Sequence, residues 1–180
     1  MKTIRCQIEK VTPFNDAVYQ VLLKPETAFD FKAGQYLCVV MGEKDKRPFS
    51  IASAPNSALI ELHIGAAVSE SYPMQVVERL QSASHIDIEA PAGDAYLRSD
   101  SRRPRILIAG GTGFSYIKSI VEQQIASGET INTKLYWGCR NEDAMYYQEI
   151  ARQWHDDYEW LEFIPTIEQA SANWQGKQAN

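Results

Sequence analysis

The sequence has little cysteine and no apolar run that approaches the length of a membrane span. Its three cysteines, Cys6, Cys38 and Cys139, stand far apart, so we expect neither a CxxC metal or redox motif nor a disulfide framework. The N-terminus soon turns polar, so we expect no signal peptide. Together these absences favour a cytoplasmic protein without a membrane segment.

Basic residues are fewer than acidic ones. Lysine and arginine number 18 against 23 acidic residues, which gives a net charge of −5. This balance argues against nucleic acid or an anionic membrane as the main partner. A ligand that carries phosphate would need a local arginine or a helix terminus. The cysteine spacing also excludes a plant-type iron–sulfur domain within this chain.

The first half of the sequence has the short, punctuated strands of an all-β domain. Alternating or continuous apolar patterns, separated by turn residues, predict strands over 4–10, 17–24, 35–41, 47–52, 59–64 and from 86 to about 91. Between the last two, Tyr72, Val76, Val77 and Leu80 fall on one helical face and predict one helix, with Ser69 or Ser71 available as its cap. This pattern indicates a small antiparallel barrel over 1–98.

The second half follows a polar linker over 99–104, which ends at Pro104. Beyond it, strands predicted over 105–109, 133–137 and 160–165 alternate with helices over 115–126 and 143–155. We read 105–109 as a buried strand and the tail from Glu168 as polar. Alternation of this kind indicates an α/β domain with a parallel sheet over 105–180.

A glycine turn joins the first strand of the second half to its first helix. Its residues are Gly110, Gly111, Thr112, Gly113, Phe114 and Ser115. Small residues let a ligand approach the backbone, and the free N–H groups at the helix start favour an anion. Tyr116 stands where a dinucleotide fingerprint has its third glycine, so a tight turn without a ligand stays open as the alternative.

The second strand of this domain ends near Arg140. An arginine at that position can pair with a 2′-phosphate, whereas Glu142 and Asp143 nearby favour a free ribose. A solvated surface arginine is the third possibility, so the choice between NADH and NADPH stays open.

The segment Arg47-Pro48-Phe49-Ser50 places a cation, a rigid turn, an aromatic ring and a hydroxyl at the start of a strand. Each residue alone has an ordinary structural explanation. In combination with four other segments they resemble the bacterial NAD(P)H-flavin reductases of the ferredoxin–NADP reductase superfamily, which include enzymes of luminous bacteria. The resemblance covers the whole chain; its other segments are Ala33-Gly34-Gln35-Tyr36, Glu61 to Ala66, Ala109 to Tyr116 and Tyr136-Trp137-Gly138.

This resemblance implies an antiparallel flavin-binding barrel followed by a parallel-sheet nucleotide-binding domain, and a role for each motif. The flavin would be lined by Arg47, Pro48, Phe49 and Ser50, with the Ser50 hydroxyl near the flavin N5, and by backbone groups of His63, Ile64, Gly65 and Ala66. The turn from Gly110 to Ser115 would hold NADH or NADPH, together with Trp137, Gly138 and Arg140. Flavin (FMN, riboflavin or FAD) would enter and leave as a substrate, because an adenosine clamp is lacking.

The implied reaction is hydride transfer from NAD(P)H to flavin, with no metal required. The reduced flavin would serve a flavin-dependent monooxygenase or a luciferase. Two departures from the family pattern are Cys139, where a second glycine is common, and the end of the chain, where the family continues with further strands. We therefore expect an incomplete nucleotide domain. The alternatives are a flavin-binding module without catalysis and an electron-transfer reductase that serves a protein partner.

Overall fold

The computed structural model describes residues 1–172 and 174–178, within which ten strands and three α-helices form. The strands are β1 Lys2–Pro13, β2 Val18–Pro25, β3 Tyr36–Gly42, β4 Asp45–Ser50, β5 Ile60–Gly65, β6 His85–Ala92, β7 Arg105–Gly110, β8 Thr133–Cys139, β9 Leu161–Ile167 and β10 Lys177–Gln178. The helices are α1 Tyr72–Ser82, α2 Phe114–Ala126 and α3 Gln148–Asp157. In this part of the chain no helix combines the length and apolar character that crossing a bilayer requires.

Strands β1 to β6 form one antiparallel sheet in the order β4-β3-β6-β1-β2-β5. Its two edge strands approach each other, because a bridge pairs Ile51, directly after β4, with Leu62 of β5. The amide of Ala52 also donates to the carbonyl of Glu61 at 2.7 Å. These contacts bend the sheet into a barrel around a single apolar cluster. The predicted antiparallel barrel is confirmed.

Helix α1 crosses between β5 and β6, where the sequence predicts the only helix of this half. The Ser71 hydroxyl accepts a hydrogen bond from the amide of Met74 at 3.3 Å and so caps the helix. Val76, Val77 and Leu80 are buried against the barrel, as their spacing predicts. Tyr72 was expected on the same face, but about half of its surface is exposed.

Strands β7 to β10 form a parallel sheet in the order β10-β9-β8-β7, with α2 and α3 as crossovers. The predicted α/β class is confirmed. Helix α3 begins five residues later than predicted, at Gln148. The reason is local: the Asn141 side chain accepts from the amide of Ala144 at 3.0 Å and holds the preceding segment in turns. Strand β10 lies in the polar tail, where the sequence analysis predicted no strand.

The interpretation of β7 as a fully buried strand is wrong. Leu107 and Ala109 are buried, but Ile106 and Ile108 are 67% and 65% exposed. Alternation places the first pair toward α2 and its apolar cluster, and the second pair on the opposite face. That face of β7 is open to solvent within the part of the chain that the structure describes.

Substitutions along β7 should separate these two faces. Replacing Leu107 with Ala should lower the free energy of unfolding by about 2 to 5 kcal/mol, because it leaves a cavity in a packed core. Replacing Ile106 or Ile108 with Thr should change it by less than about 0.5 kcal/mol, since neither side chain is buried. Urea denaturation at constant pH measures all three. Equal losses at Ile106 and Leu107 would contradict this assignment of faces.

Candidate active site

The glycine turn lies at the carboxyl end of β7. Gly111–Gly113 form a single 3-10 turn that continues into α2 at Phe114. The Phe114 amide donates back to the carbonyls of Gly111 and Thr112, so the N–H groups available to a bound anion are those of the turn that precedes α2. The indole nitrogen of Trp137 donates to the carbonyl of Gly111 at 2.9 Å and holds the turn from beneath.

Two of the three glycines leave open space above the backbone. A Cβ added at Gly110 or Gly111 would meet no protein atom within 4 Å. Gly111 has φ +49°, a conformation that favours glycine. Gly113 has φ −57°, which any residue adopts. The conformational need for glycine therefore lies at Gly111.

The open space continues into a cleft of about 500 Å³ at the carboxyl ends of β7, β8 and β9. Its lining includes Gly110, Gly111, Gly138, Cys139, Arg140 and Glu168. In parallel α/β sheets this edge is where nucleotides bind. Open backbone, free amides of the turn and an exposed arginine at one sheet edge fit a dinucleotide.

Three predicted binding residues are buried and shape the turn rather than the cleft. Phe114 and Trp137 are fully buried and stack at a centroid distance of 4.1 Å. The Ser115 hydroxyl donates to the carbonyl of Thr112 at 2.8 Å. In this arrangement their side chains do not reach the cleft, so a ligand would meet the turn's backbone.

Cys139 stands where the family pattern commonly has a second glycine. Its side chain is buried, and the thiol points toward the carbonyl of Ala144 at 3.6 Å. Burial raises the pKa of the thiol to about 11, so it is neutral near pH 7. The thiol acts here as a small core side chain.

Arg47 holds α1 onto β4. Its guanidinium makes four hydrogen bonds: two to the Asp45 carboxylate, one to Gln75 and one to the carbonyl of Tyr72. It also stacks on the Tyr72 ring, 4.1 Å from the centroid. These bonds use four of the five N–H donors of an arginine. The cation that the sequence predicts beside a ligand is thus largely neutralised by its neighbours, and the bond from Arg47 lowers the pKa of Asp45.

The other three residues of that motif are less buried than Arg47. Pro48 is exposed, while Phe49 and Ser50 are half-buried. The Phe49 side chain packs against the barrel core, and Ser50 pairs with Tyr36 of β3. Ser50, the last residue of β4, is therefore half-buried at the end of its strand.

The carboxyl end of β5 meets the glycine turn. His63, Ile64 and Ala66 are buried, and Gly65 is partly exposed. A Cβ on Gly65 would lie 2.9 Å from Cγ2 of Thr112, too close for any residue larger than glycine without a shift. The two predicted ligand segments therefore touch, although they are far apart in sequence.

The side chain of His63 was assigned no role by the sequence. Its Nε2 lies 2.9 Å from the Glu61 carboxylate, and its Nδ1 lies 2.9 Å from the hydroxyl of Tyr146. Burial lowers the pKa of His63, so the ring is neutral near pH 7. Since a carboxylate only accepts, Nε2 carries the proton and Nδ1 accepts from Tyr146. This chain of hydrogen bonds joins the barrel to the segment before α3.

Glu61 and Lys118 are the site residues that sequence reasoning missed. Both are buried where the two sheets meet. Each residue leaves a signal in the sequence. Glu61, like His63, interrupts an apolar strand, and Lys118 stands beside Ile117 in an apolar helical stripe. Neither pattern identifies the partner, which lies in the other half of the chain.

Comparisons with known proteins agree with this geometry. The family profile of the oxidoreductase NAD-binding domain matches residues 107–180. An NAD(P)H-flavin reductase of Vibrio harveyi is 48% identical over 99% of this chain and 78% of its own length. One of Aliivibrio fischeri is 45% identical over 98% and 77%.

A solved structure shows the same fold. A ferredoxin NADP+ reductase from Neisseria gonorrhoeae, with FAD and NADP bound, superposes with a TM-score of 0.79. The match covers 100% of this chain and 74% of the other at 16% identity, which supports the fold alone. The identity to the flavin reductases of Vibrio harveyi and Aliivibrio fischeri is far higher and extends across both sheets. On this evidence the chain belongs to the family of NAD(P)H-flavin reductases.

Proposed function

We propose that this protein transfers hydride from NADH or NADPH to a flavin. The observation that carries the proposal is the contact between Gly65 and Thr112, which joins the end of β5 to the glycine turn. One segment is assigned to flavin and the other to the nucleotide, so their ligands would meet at this point. The relatives from Vibrio harveyi and Aliivibrio fischeri are named for the same reaction.

The proposed ligand contacts follow from this placement. Flavin would lie along the outer side of β4, from Arg47 to Ser50, and the end of β5, from His63 to Ala66. The nucleotide would occupy the cleft, with Gly110–Ser115 at its phosphates and Gly138 and Arg140 at its rim. Trp137 would contribute by supporting the turn.

Bound flavin supplies a hydride acceptor and NAD(P)H the hydride, so the protein's task is orientation and electrostatics. The Ser50 hydroxyl would hydrogen-bond to the flavin at the reacting nitrogen. Amides of the glycine turn would bind the pyrophosphate, where the helix dipole favours negative charge. Arg47, largely neutralised by Asp45, would act by holding β4 and α1 in place.

We further propose that flavin is a substrate and that its reduced form is released to a flavin-dependent monooxygenase or a luciferase. Free flavin reduction needs a site that opens to solvent, and in this motif Pro48 is exposed and Ser50 half-buried. We place the protein in the cytoplasm, because its free cysteines, Cys6, Cys38 and Cys139, suit a reducing compartment. We also propose a division into a barrel over 1–98, a linker over 99–104 and a nucleotide domain from 105.

Oxidation of NAD(P)H should depend on added flavin. We expect turnover that saturates with riboflavin or FMN as well as FAD, and little flavin in the dialysed protein. Absorbance at the nicotinamide band, with and without each flavin, measures this. Activity that needs a protein acceptor would favour the electron-transfer alternative, and flavin binding without turnover would favour the non-catalytic module.

Replacing Ser50 with Ala should slow hydride transfer by about 10- to 1000-fold, the range for loss of one preorganised hydrogen bond. Ser50 is only half-buried, so the free energy of unfolding should hardly change. Stopped-flow reduction of flavin gives the rate, and urea denaturation gives the stability. Ser99→Ala, at an exposed position of the linker, serves as the control. A normal rate in Ser50→Ala would remove Ser50 from the mechanism.

Replacing Gly110 with progressively larger residues should weaken the binding of NAD(P)H but not that of flavin. The site has extended backbone and open space, so Ala and Val should fold normally. We expect the Michaelis constant for NAD(P)H to rise progressively, by about 10-fold for Val, which corresponds to ~1.4 kcal/mol of binding. The constant for flavin should stay unchanged. Parallel increases for both substrates would argue against a nucleotide site in this cleft.

A further inference from the structure

The outer face of β5 is joined to α2 by a buried ion pair. The Lys118 ammonium lies 2.8 Å from Oε2 of Glu61 and 2.7 Å from Oε1 of Glu122, and its side chain is 3% exposed. It also donates to the carbonyl of Ala52 at 3.4 Å. Lys118 therefore ties its own helix to two segments of the barrel at once.

A second polar link lies beside the first. The Ser119 hydroxyl donates to the carbonyl of Ser53 at 2.7 Å, and both residues are buried. The Ser53 hydroxyl in turn accepts from the amide of Glu61 at 3.1 Å. Adjacent residues of α2 thus hold β5 and the segment that follows Ser50.

These links lie close in sequence to the two segments that meet at the proposed reaction centre. Glu61 is four residues before Gly65 on a rigid strand, and Lys118 follows Thr112 across the first turns of α2. Four residues further along β5, Gly65 packs so closely against Thr112 that a Cβ on Gly65 would lie 2.9 Å from the Thr112 side chain. The ion pair and the glycine contact together leave α2 little freedom to rotate or slide along β5.

Both members of the pair are charged near pH 7. Burial alone would raise the pKa of Glu61, but hydrogen bonds from His63 and Gln20 and the charge of Lys118 lower it to about 2. Burial opposes the charged form of Lys118, yet the two carboxylates raise its pKa. Glu122, whose pKa burial raises, completes the group.

A buried ion pair of this kind contributes little net stability, because desolvation offsets the attraction between the charges. Replacing the pair with neutral side chains of similar size is often tolerated, whereas removal of one partner is costly. The pair does restrict how α2 is oriented on β5, since two charged groups with further hydrogen bonds accept few alternative arrangements. Its effect should therefore be seen in geometry more than in folding.

We propose that Glu61 and Lys118 are positioning residues for hydride transfer: their ion pair sets the placement of the glycine turn against β5, and so the alignment of nucleotide with flavin. The proposal rests on the proposed function. Within the ligand segments the pair touches only the ring of His63, through Oε1 of Glu61 at 2.9 Å. The proposed flavin contacts of His63 are its backbone groups, so binding of each ligand alone does not depend on the pair. The transfer step does, because misplacement by about 1 Å can cost about 100-fold in rate.

The test uses the double variant Glu61→Gln/Lys118→Met, which removes both charges and keeps side-chain length. We expect its free energy of unfolding to stay close to that of the wild type, while Lys118→Met alone is clearly destabilised. Dissociation constants for oxidised flavin and for NAD(P)+, each measured alone by calorimetry, should be unchanged. Single-turnover flavin reduction at saturating NAD(P)H should be slower by about 10- to 100-fold.

The spectrum of the ternary complex gives a readout that a purely structural role would not change. Stacked nicotinamide and flavin produce a long-wavelength charge-transfer band, which should weaken in the double variant. The matched control is Arg105→Met/Glu129→Gln, a pair at 2.8 Å that lies wholly within the second half. It should leave both the rate and the band unchanged.

Two results would overturn the proposal, and they are distinguishable. A wild-type protein that does not reduce flavin removes the proposed function, and this inference with it. A wild-type protein that does, beside a double variant with the same rate and the same band, removes the inference alone. Equal slowing in the control pair would also contradict it, since that pair does not join the two sheets.

Discussion

The outer face of β5 is a polar surface that is buried instead of hydrated. Alternation along the strand sends Ile60, Leu62 and Ile64 into the barrel, so Glu61 and His63 point away from it. Because the second half of the chain covers them, each polar group needs a partner there. Lys118 and Tyr146 supply these partners. Packing of the two sheets, and with it the shape of the candidate site, depends on these matched groups.

Local patterns predict most of the fold. Period-two alternation identifies the barrel strands, helical spacing identifies α1 and α2, and strand–helix alternation identifies the parallel sheet. The errors arise where a local side chain or distant packing decides. Asn141 delays the start of α3, and β7 has one exposed apolar face that composition alone could not distinguish from a buried one.

The candidate site was predictable in its segments and less so in its side-chain roles. The glycine turn and the Arg47–Ser50 motif predict the two ligand segments, since both are continuous in sequence. The sequence of these segments does not reveal that Arg47 donates hydrogen bonds to Asp45 and Gln75. Nor does it reveal that Gly111 has positive φ and Gly113 does not. Contacts such as Glu61 with Lys118 span 57 residues and have no local signature.

The side chain that supports the glycine turn is a tryptophan, so its fluorescence depends on the position of the turn. Trp137 is fully buried, is stacked on Phe114 and donates its indole N–H to the carbonyl of Gly111. An indole in such surroundings fluoresces at shorter wavelength than one in water, and its emission responds to the strength of that bond. Any event that shifts the turn therefore changes the surroundings of Trp137, one of four tryptophans in the sequence, and the emission of this indole reports on the glycine turn.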